Sequence, residues 1–245
     1  MFKRMTQPLK TVWIAISLTC LVGCCQPCNI DPIEPFNRGV YSFNKTVDCL
    51  IVKPVARMYT GVTPQPIRQM VSNFFQNLAE VHNILNDVLQ GELCMAANDS
   101  ARFVINTTWG IGGLFDVAGY RGCLPANNQD FGLTLAKWGC HDSPYVVLPL
   151  IGPSTVRDSI GWVADYYSWP PTYLKSVSVR NALLIGAYVN KRSQLLKIEP
   201  VLDDAVDEYT FIRDAYLQNR LYKICGECGI AEASLSQPVL VGPPE

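Results

Sequence analysis

Apolar residues recur along most of this chain at helical spacing. Val71, Phe74, Phe75, Leu78, Val81, Leu85, Val88 and Leu89 form one stripe within residues 67–90, and Gly91 follows at a position suited to stopping a helix. Phe36, Val40, Phe43 and Val47 mark an earlier helix within 31–47, after which Pro54, Pro64 and Pro66 are expected to break the chain. A further helix is predicted from about Ala96 to Thr108. Another runs from about Val156 to Tyr166, capped by Ser154 or Thr155 and carrying Asp158 in its first turn. A weaker one covers about 176–193. Leu202, Ala205, Val206, Tyr209, Ile212, Tyr216, Leu217 and Leu221 define a strong helix over 201–223, and the acidic cluster Asp203, Asp204, Asp207 and Glu208 suits its N-terminal end. The pattern predicts an all-α fold in a single domain, without internal repeats.

The connecting segments carry their own signals. Residues Trp109 to Gly122 hold five glycines among apolar residues, which predicts kinks and close backbone contacts. A phosphate-cradling loop fits poorly there, because no Lys-Ser/Thr follows and no strand precedes. Residues 123–142 read as irregular. Ser143 to Ile151 is an apolar run punctuated by Pro144 and Pro149. From Gly229 onward, Pro238, Pro243 and Pro244 predict a disordered tail over 229–245.

The N-terminus breaks the pattern. Lys3, Arg4 and Lys10 precede an apolar run from Thr11 to Val22 that is too short to span a bilayer. It ends in Leu21-Val22-Gly23-Cys24, which resembles the lipobox of bacterial lipoproteins. Small side chains beside the scissile bond admit the peptidase, and the free thiol can carry a diacylglycerol thioether. The expected division is a signal peptide over 1–23, lipidation at Cys24, a tether over 24–30 and a helical domain over 31–228. Cys25, rather than Asp, follows the anchor. Asp there is the inner-membrane retention signal of enteric bacteria, so its absence points to the outer membrane.

Composition adds one unusual feature. Charged residues make up 17% of the chain against 49% apolar residues, where about 25% charged is typical of soluble domains. Removing Lys3, Arg4 and Lys10 from 20 basic residues leaves 17 against 21 acidic ones, a formal charge of −4. A surface so poor in charge is expected where part of it faces lipid, and nothing in it suggests a nucleic-acid partner.

Of the ten cysteines, Cys20 leaves with the signal peptide and Cys24 carries lipid. In an oxidising compartment the remaining eight are expected in disulfides. Cys123 with Cys140 would close the loop between two apolar segments. Cys225 and Cys228 form one C-x-x-C pair and Cys25 with Cys28 another. A structural or vicinal disulfide fits these better than a redox or zinc site, since neither pair opens a thioredoxin-like unit.

Catalytic chemistry finds little support. The two histidines are His82 and His141. There is no HExxH motif and no G-x-S-x-G elbow. His141-Asp142-Ser143 is consecutive, whereas triad members converge in space. The acidic cluster near Asp203 has helical spacing and no glycine turn, so it is a solvated face rather than a calcium loop. No catalytic residue, metal or cofactor is expected.

Several segments then resemble one family in colinear order. Asp31-Pro32-Ile33-Glu34-Pro35-Phe36-Asn37-Arg38 matches its D-P-x-E-x-F-N-R opening. Val62-x-Pro64-x-Pro66-Ile67-Arg68, Arg102-Phe103-x-x-Asn106-Thr107 and Gly110-x-Gly112-Gly113-x-Phe115-Asp116 follow. Asp130-Phe131-Gly132, then Gly139 with Ser143-Pro144-Tyr145, and Gly152-Pro153-Ser154-Thr155 complete the match. The chain is similar to the MlaA family, also called VacJ-like lipoproteins, over about residues 31–223.

The resemblance implies a ring of helices embedded mainly in the inner leaflet of the outer membrane, on its periplasmic side. It implies a central amphipathic channel that removes phospholipid from the outer leaflet. The implied partners are phospholipid, a trimeric outer-membrane porin and a soluble periplasmic carrier, MlaC. Arg38, Arg68 and Arg102 are candidates for phosphate contact or, as the stronger reading, for structural pairing. Gly110, Gly112 and Gly113, together with Phe131 and Gly139, belong to segments expected to be flexible and to border the channel. A porin-associated structural lipoprotein without transport activity is the alternative.

Overall fold

The computed structural model describes residues 30–120 and 124–236. Helix α1 (Glu34–Val47) passes without a break through a π turn (Asp48–Val52) into α2 (Lys53–Val62). Pro54 therefore does not break the chain. It occupies the first turn of α2, directly after the π turn that the Lys53 N–H closes on the Asp48 carbonyl, where its missing N–H is tolerated.

Helix α3 (Gln65–Gln90) is the longest uninterrupted run of the first half. It begins behind Pro64 with Pro66 in its first turn, and Gly91 ends it in the left-handed region at φ 77°. The N–H groups of Gly91 and Glu92 return to the carbonyls of Val88 and Asp87, closing the helix end. Helix α4 (Leu93–Thr108) folds back along α3. A short α5 (Val117–Tyr120) and α6 (Phe131–Lys137) follow, the latter capped by the Asp130 carboxylate, which accepts from Leu133 N at 2.9 Å.

The Ser143–Ile151 run forms a small hairpin, so the fold is helical with one two-stranded sheet. Strand β1 (Tyr145–Leu148) pairs antiparallel with β2 (Gly152–Thr155), Val146 opposite Ser154. Leu150 at φ 65° and Gly152 at φ 101° make its turn. Helix α7 (Val156–Ser168) starts under the Thr155 cap, with Asp158 N donating to Thr155 Oγ1 at 3.1 Å. A 3-10 turn (Pro170–Tyr173) leads to α8 (Val177–Leu195), and a second one (Leu196–Ile198) to α9 (Glu199–Asp203).

The strong helix expected over 201–223 is in fact two. Asp207 interrupts it, because its carboxylate accepts from Tyr209 N and Thr210 N and so caps a new start. Helix α10 (Glu208–Ser236) then continues past the point where a disordered tail was expected. Residues 237–245 lie outside the described residues, as do the signal segment, Cys24, the tether up to residue 29, and Cys123.

The burial pattern is inverted relative to a water-soluble domain. Buried apolar side chains are few and small: Ala56, Ala96, Ala118 and Ala136, with Leu133, Tyr145, Val147 and Tyr209. The largest fully buried side chains include Arg102, Asn37, Thr134, Asp87 and Asp99. Large apolar residues stand outward on nearly every helix, among them Leu50, Met58, Leu93, Val104, Trp162 and Ile185. Exposed apolar surface this extensive marks contact with lipid or protein. No helix among the described residues is long and apolar enough to cross a membrane.

The elements close into a circuit. α1 and α2 are joined through the π turn, α2 packs on α8, and α8 on α3. α3 packs on α6 and α7, α7 on β1, and β1 back on α1. Small residues permit the tightest crossing. A Cβ on Gly161 of α7 would lie 2.4 Å from the backbone nitrogen of Gly132 in α6, so the two backbones meet without side chains between them.

Candidate functional site

Helix α3 has a second stripe, and that one faces inward. Asn77, Glu80, Asn83, Asn86 and Asp87 are buried, while Leu85, Val88 and Leu89 of the apolar stripe are about half exposed. Burial costs such groups least when they find partners: Asn77 donates to Thr107, Asp87 accepts from Asn127, and three networks engage others and their neighbours.

The first centres on Arg102 of α4, which is 2% exposed. Its Nε donates to Glu80 Oε1 at 3.0 Å, Nη1 to the Leu124 carbonyl at 2.7 Å, and Nη2 to Asp116 Oδ1 at 3.2 Å. Burial pushes the Glu80 carboxyl up, against the pull of Arg102 and Asn83. Burial acts the same way on Asp116, but Asn106, the Gly119 N–H and Arg102 together hold that carboxyl below its ordinary value.

The second network joins α6, α7 and α10. Arg220 pairs with Asp130 and, at 2.6 Å, with Asp158, which also accepts from the Tyr216 hydroxyl at 2.8 Å. Asp165 accepts from Asn86 and from Phe131 N. Burial first, and the Asp130 charge second, push its carboxyl up to about 6. Nearby, Arg157 donates to the Cys140 and His141 carbonyls, and the Ser143 hydroxyl accepts from Arg157 N at 2.9 Å.

The third network explains the opening segment. Asn37 donates to Asp31 at 2.7 Å and to the Tyr145 carbonyl, and accepts from Val147 N at 3.0 Å. The Tyr209 hydroxyl also donates to Asp31. Arg38 pairs with Glu34 at 2.8 Å and Asp207 at 2.7 Å, and lies 4.4 Å over the Tyr209 ring. Asp31, Glu34, Asn37 and Arg38 thus tie α1 to β1 and α10.

Between the first half of α3 and the glycine-rich segment lies an amphipathic cavity of about 490 Å³. Gln69, Asn73, Gln76 and Asp116 supply its polar wall, and Trp109, Phe115, Val117 and Tyr120 its apolar one. Asn73 Nδ2 holds the Leu114 carbonyl at 3.1 Å. Gly112 and Gly113 sit at φ 68° and 88°, and a Cβ on Gly113 would lie 2.5 Å from Asn77 Cβ. Only glycine lets the loop lie this close to α3.

The profile of the MlaA lipoprotein family matches residues 29–223, a span that includes all three networks and the cavity. The chain belongs to the MlaA lipoprotein family. It is 37% identical over 225 residues to the intermembrane phospholipid transport system lipoprotein MlaA of Escherichia coli (strain K12), covering 86% of each chain. It is 31% identical over 204 residues to the MlaA of Haemophilus influenzae, covering 79% of each. A solved structure concerned with the structural basis for maintenance of bacterial outer membrane lipid asymmetry superposes with a TM-score of 0.70. Its sequence is 34% identical, and the match covers 79% of this chain and 98% of that one.

Within this MlaA-family chain the candidate residues separate. Gly110, Gly112 and Gly113 lie together in the loop that walls the amphipathic cavity. Arg102 is fully engaged in pairing and Arg38 is paired at the surface. Arg68 is half-buried on the side of α3 toward Tyr59, and its Nε is buried with no partner among the described residues. Phe131 belongs to a different, apolar groove, and Gly139 at φ 110° forms the turn that ends α6. Cys140 and Cys225 carry no disulfide among the described residues. Their expected partners, Cys123 and the Cys228 side chain, lie outside those residues.

Sequence reasoning did not single out Gln69, Asn73 and Gln76, although their spacing continues the polar stripe of α3. It also did not single out Lys223 of α10. Partial desolvation pulls its ammonium below the ordinary lysine value against the attraction of Asp130, and Arg220 and Lys191 add to the lowering. Among the described residues, no group of three or more His, Cys, Asp or Glu is placed to hold a metal.

Proposed function

We propose that this chain is an outer-membrane lipoprotein that takes mislocalised phospholipid from the outer leaflet and passes it toward the periplasm, maintaining lipid asymmetry. The observation that carries this reading is the inverted burial: an apolar shell around a closed helical circuit whose interior is charged and amide-rich. Hydrocarbon can surround such a shell, while a polar interior beside an amphipathic cavity offers a path for a head group that hydrocarbon would refuse. The transport role named for the Escherichia coli and Haemophilus influenzae relatives fits the same arrangement.

In this reading Cys24 carries the lipid anchor, and the domain sits in the inner leaflet at the periplasmic face. The Gly110–Tyr120 loop borders the lipid path, with Arg68 as its phosphate contact. A trimeric porin holds the apolar shell in place, and a soluble MlaC-like carrier receives the lipid. No bond chemistry is required of the protein.

The test is a clean deletion in the source organism. Outer-leaflet phospholipid and detergent sensitivity should rise, and the full chain should restore both. Unchanged asymmetry in a strain without a second family member would sink the transport role. Phospholipid recovered with the purified protein, and its transfer to a carrier, separates transport from a purely porin-associated structural role.

A further inference from the structure

An apolar groove of about 650 Å³ lies on the outside of the molecule between β1 and α7, apart from the amphipathic cavity. Val146 and Leu148 of β1 line it, because Tyr145 and Val147 alternate inward. Val156, Ile160 and Val163 line it from one face of α7, at the i, i+4, i+7 spacing of a helical stripe, and Phe131 adds to the lining. Its one hydroxyl is already used: Ser159 Oγ donates to the Thr155 carbonyl at 2.7 Å. The groove therefore asks nothing of an occupant except hydrocarbon.

A partner strand is a poor occupant. One edge of β1 is taken by β2. The other is taken by the Ile30 carbonyl, which accepts from Tyr145 N at 3.0 Å, and by the Asn37 amide. Neither edge offers the unpaired backbone groups that strand addition needs.

The same Ile30–Tyr145 bond fixes where the chain outside the described residues begins. Cys24 lies six residues before Ile30, at most about 20 Å of fully extended chain. Val146 is the next residue along β1 from that bond, and Leu148 is about 10 Å along at strand rise. We propose that the β1–α7 groove seats an acyl chain of the lipid carried by Cys24 of the same molecule. The proposal rests on lipidation of Cys24. It makes the anchor part of the folded domain, since the chain covers the apolar side chains of the groove that would otherwise face bulk lipid.

Photocrosslinking of the full lipidated chain in outer membranes tests this. A benzoylphenylalanine probe replaces Ile160 in the groove or, as the control, Ile185 on the outward face of α8, which is 64% exposed. After irradiation, the monomer band is digested and its adducts are weighed. The Ile160 probe should join the lipid-modified N-terminal peptide several-fold more often than the Ile185 probe. Capture of free phospholipid or of a neighbouring protein alone at Ile160, or equal capture at both positions, overturns the proposal. The mass of the N-terminal peptide without irradiation separates the two readings. A lipid-free Cys24 defeats the lipidation reading itself, whereas a lipidated Cys24 that never reaches Ile160 overturns the groove assignment alone.

Discussion

The carboxyl groups of Asp87 on α3 and Asp99 on α4 face each other across a fully buried helix interface. Two buried carboxylates cannot both ionise comfortably: burial first, and the Asp99 charge second, push the Asp87 carboxyl up, and burial pushes that of Asp99 up as well.

The sign of the resulting pH dependence follows from linkage. A carboxyl raised in the folded state binds its proton more tightly there than in the unfolded chain. Its stabilising contribution is full below the ordinary aspartate value of 3.8 and is lost as pH rises into the neutral range. Asp87→Asn keeps a donor toward Asp99 and an oxygen toward Asn127 without the ionisation. In detergent micelles the variant should gain stability over the native chain at pH 8, by about 1 kcal/mol or more, and little at pH 4. Parallel melting curves at the two pH values check this, and an equal effect at both would remove ionisation of Asp87 as the cause.

Arg102 should be structural rather than lipid-binding. Arg102→Met leaves Glu80 buried without its cation and removes the bond by which α4 holds Asp116 of the loop. The expected loss is about 3–5 kcal/mol. Arg102→Lys recovers little, because one ammonium cannot reach Glu80, Asp116 and the Leu124 carbonyl together. Urea unfolding and protease nicking within 109–120 measure the two consequences.

Arg68 should behave in the opposite way. It has no carboxylate partner among the described residues, so Arg68→Ala should cost less than about 1 kcal/mol of stability. If it contacts phosphate, lipid transfer to a carrier should fall while melting stays near the native value. A large stability loss with intact transfer would make it another structural arginine.

Gly113→Ala tests how closely the loop must lie on α3. The left-handed backbone alone adds about 1–2 kcal/mol, and the new Cβ meets Asn77. Because the nearest atom is Asn77 Cβ, Asn77→Gly in the same chain should recover the contact part but not the backbone part. Thermal melting of the four combinations separates the two.

The helices were legible because a stripe repeats every turn. The direction of the stripe was not. On α3 the polar positions Gln69, Asn73, Gln76, Glu80, Asn83 and Asp87 are as regular as the apolar ones, and periodicity defines two faces without saying which meets water. Only the low charge content pointed to lipid. The β1–β2 hairpin escaped notice because Pro144 and Pro149 read as punctuation around a run too short to show alternation. The role of Arg38 depended on Asp207, 169 residues away, a pairing that the folded circuit alone reveals. The division of the last helix at Asp207 turned on a side-chain cap inside a continuous apolar pattern.

The π turn at residues 48–52 has a consequence for tolerance to insertion and deletion. It holds one residue more than an α-helical path would need between α1 and α2. With it in place, Asp48 meets Arg192 at 2.7 Å and Ala56 faces α8 completely buried. Each residue of an α-helix turns the chain by about 100°. Losing one of these five would therefore let the segment close as plain α-helix with Ala56 still against α8, whereas a second loss would turn α2 by that angle and set Arg57 where Ala56 now lies. The segment is thus where a one-residue change of length is absorbed, and single-residue gaps should be commoner there than within α1 or α2.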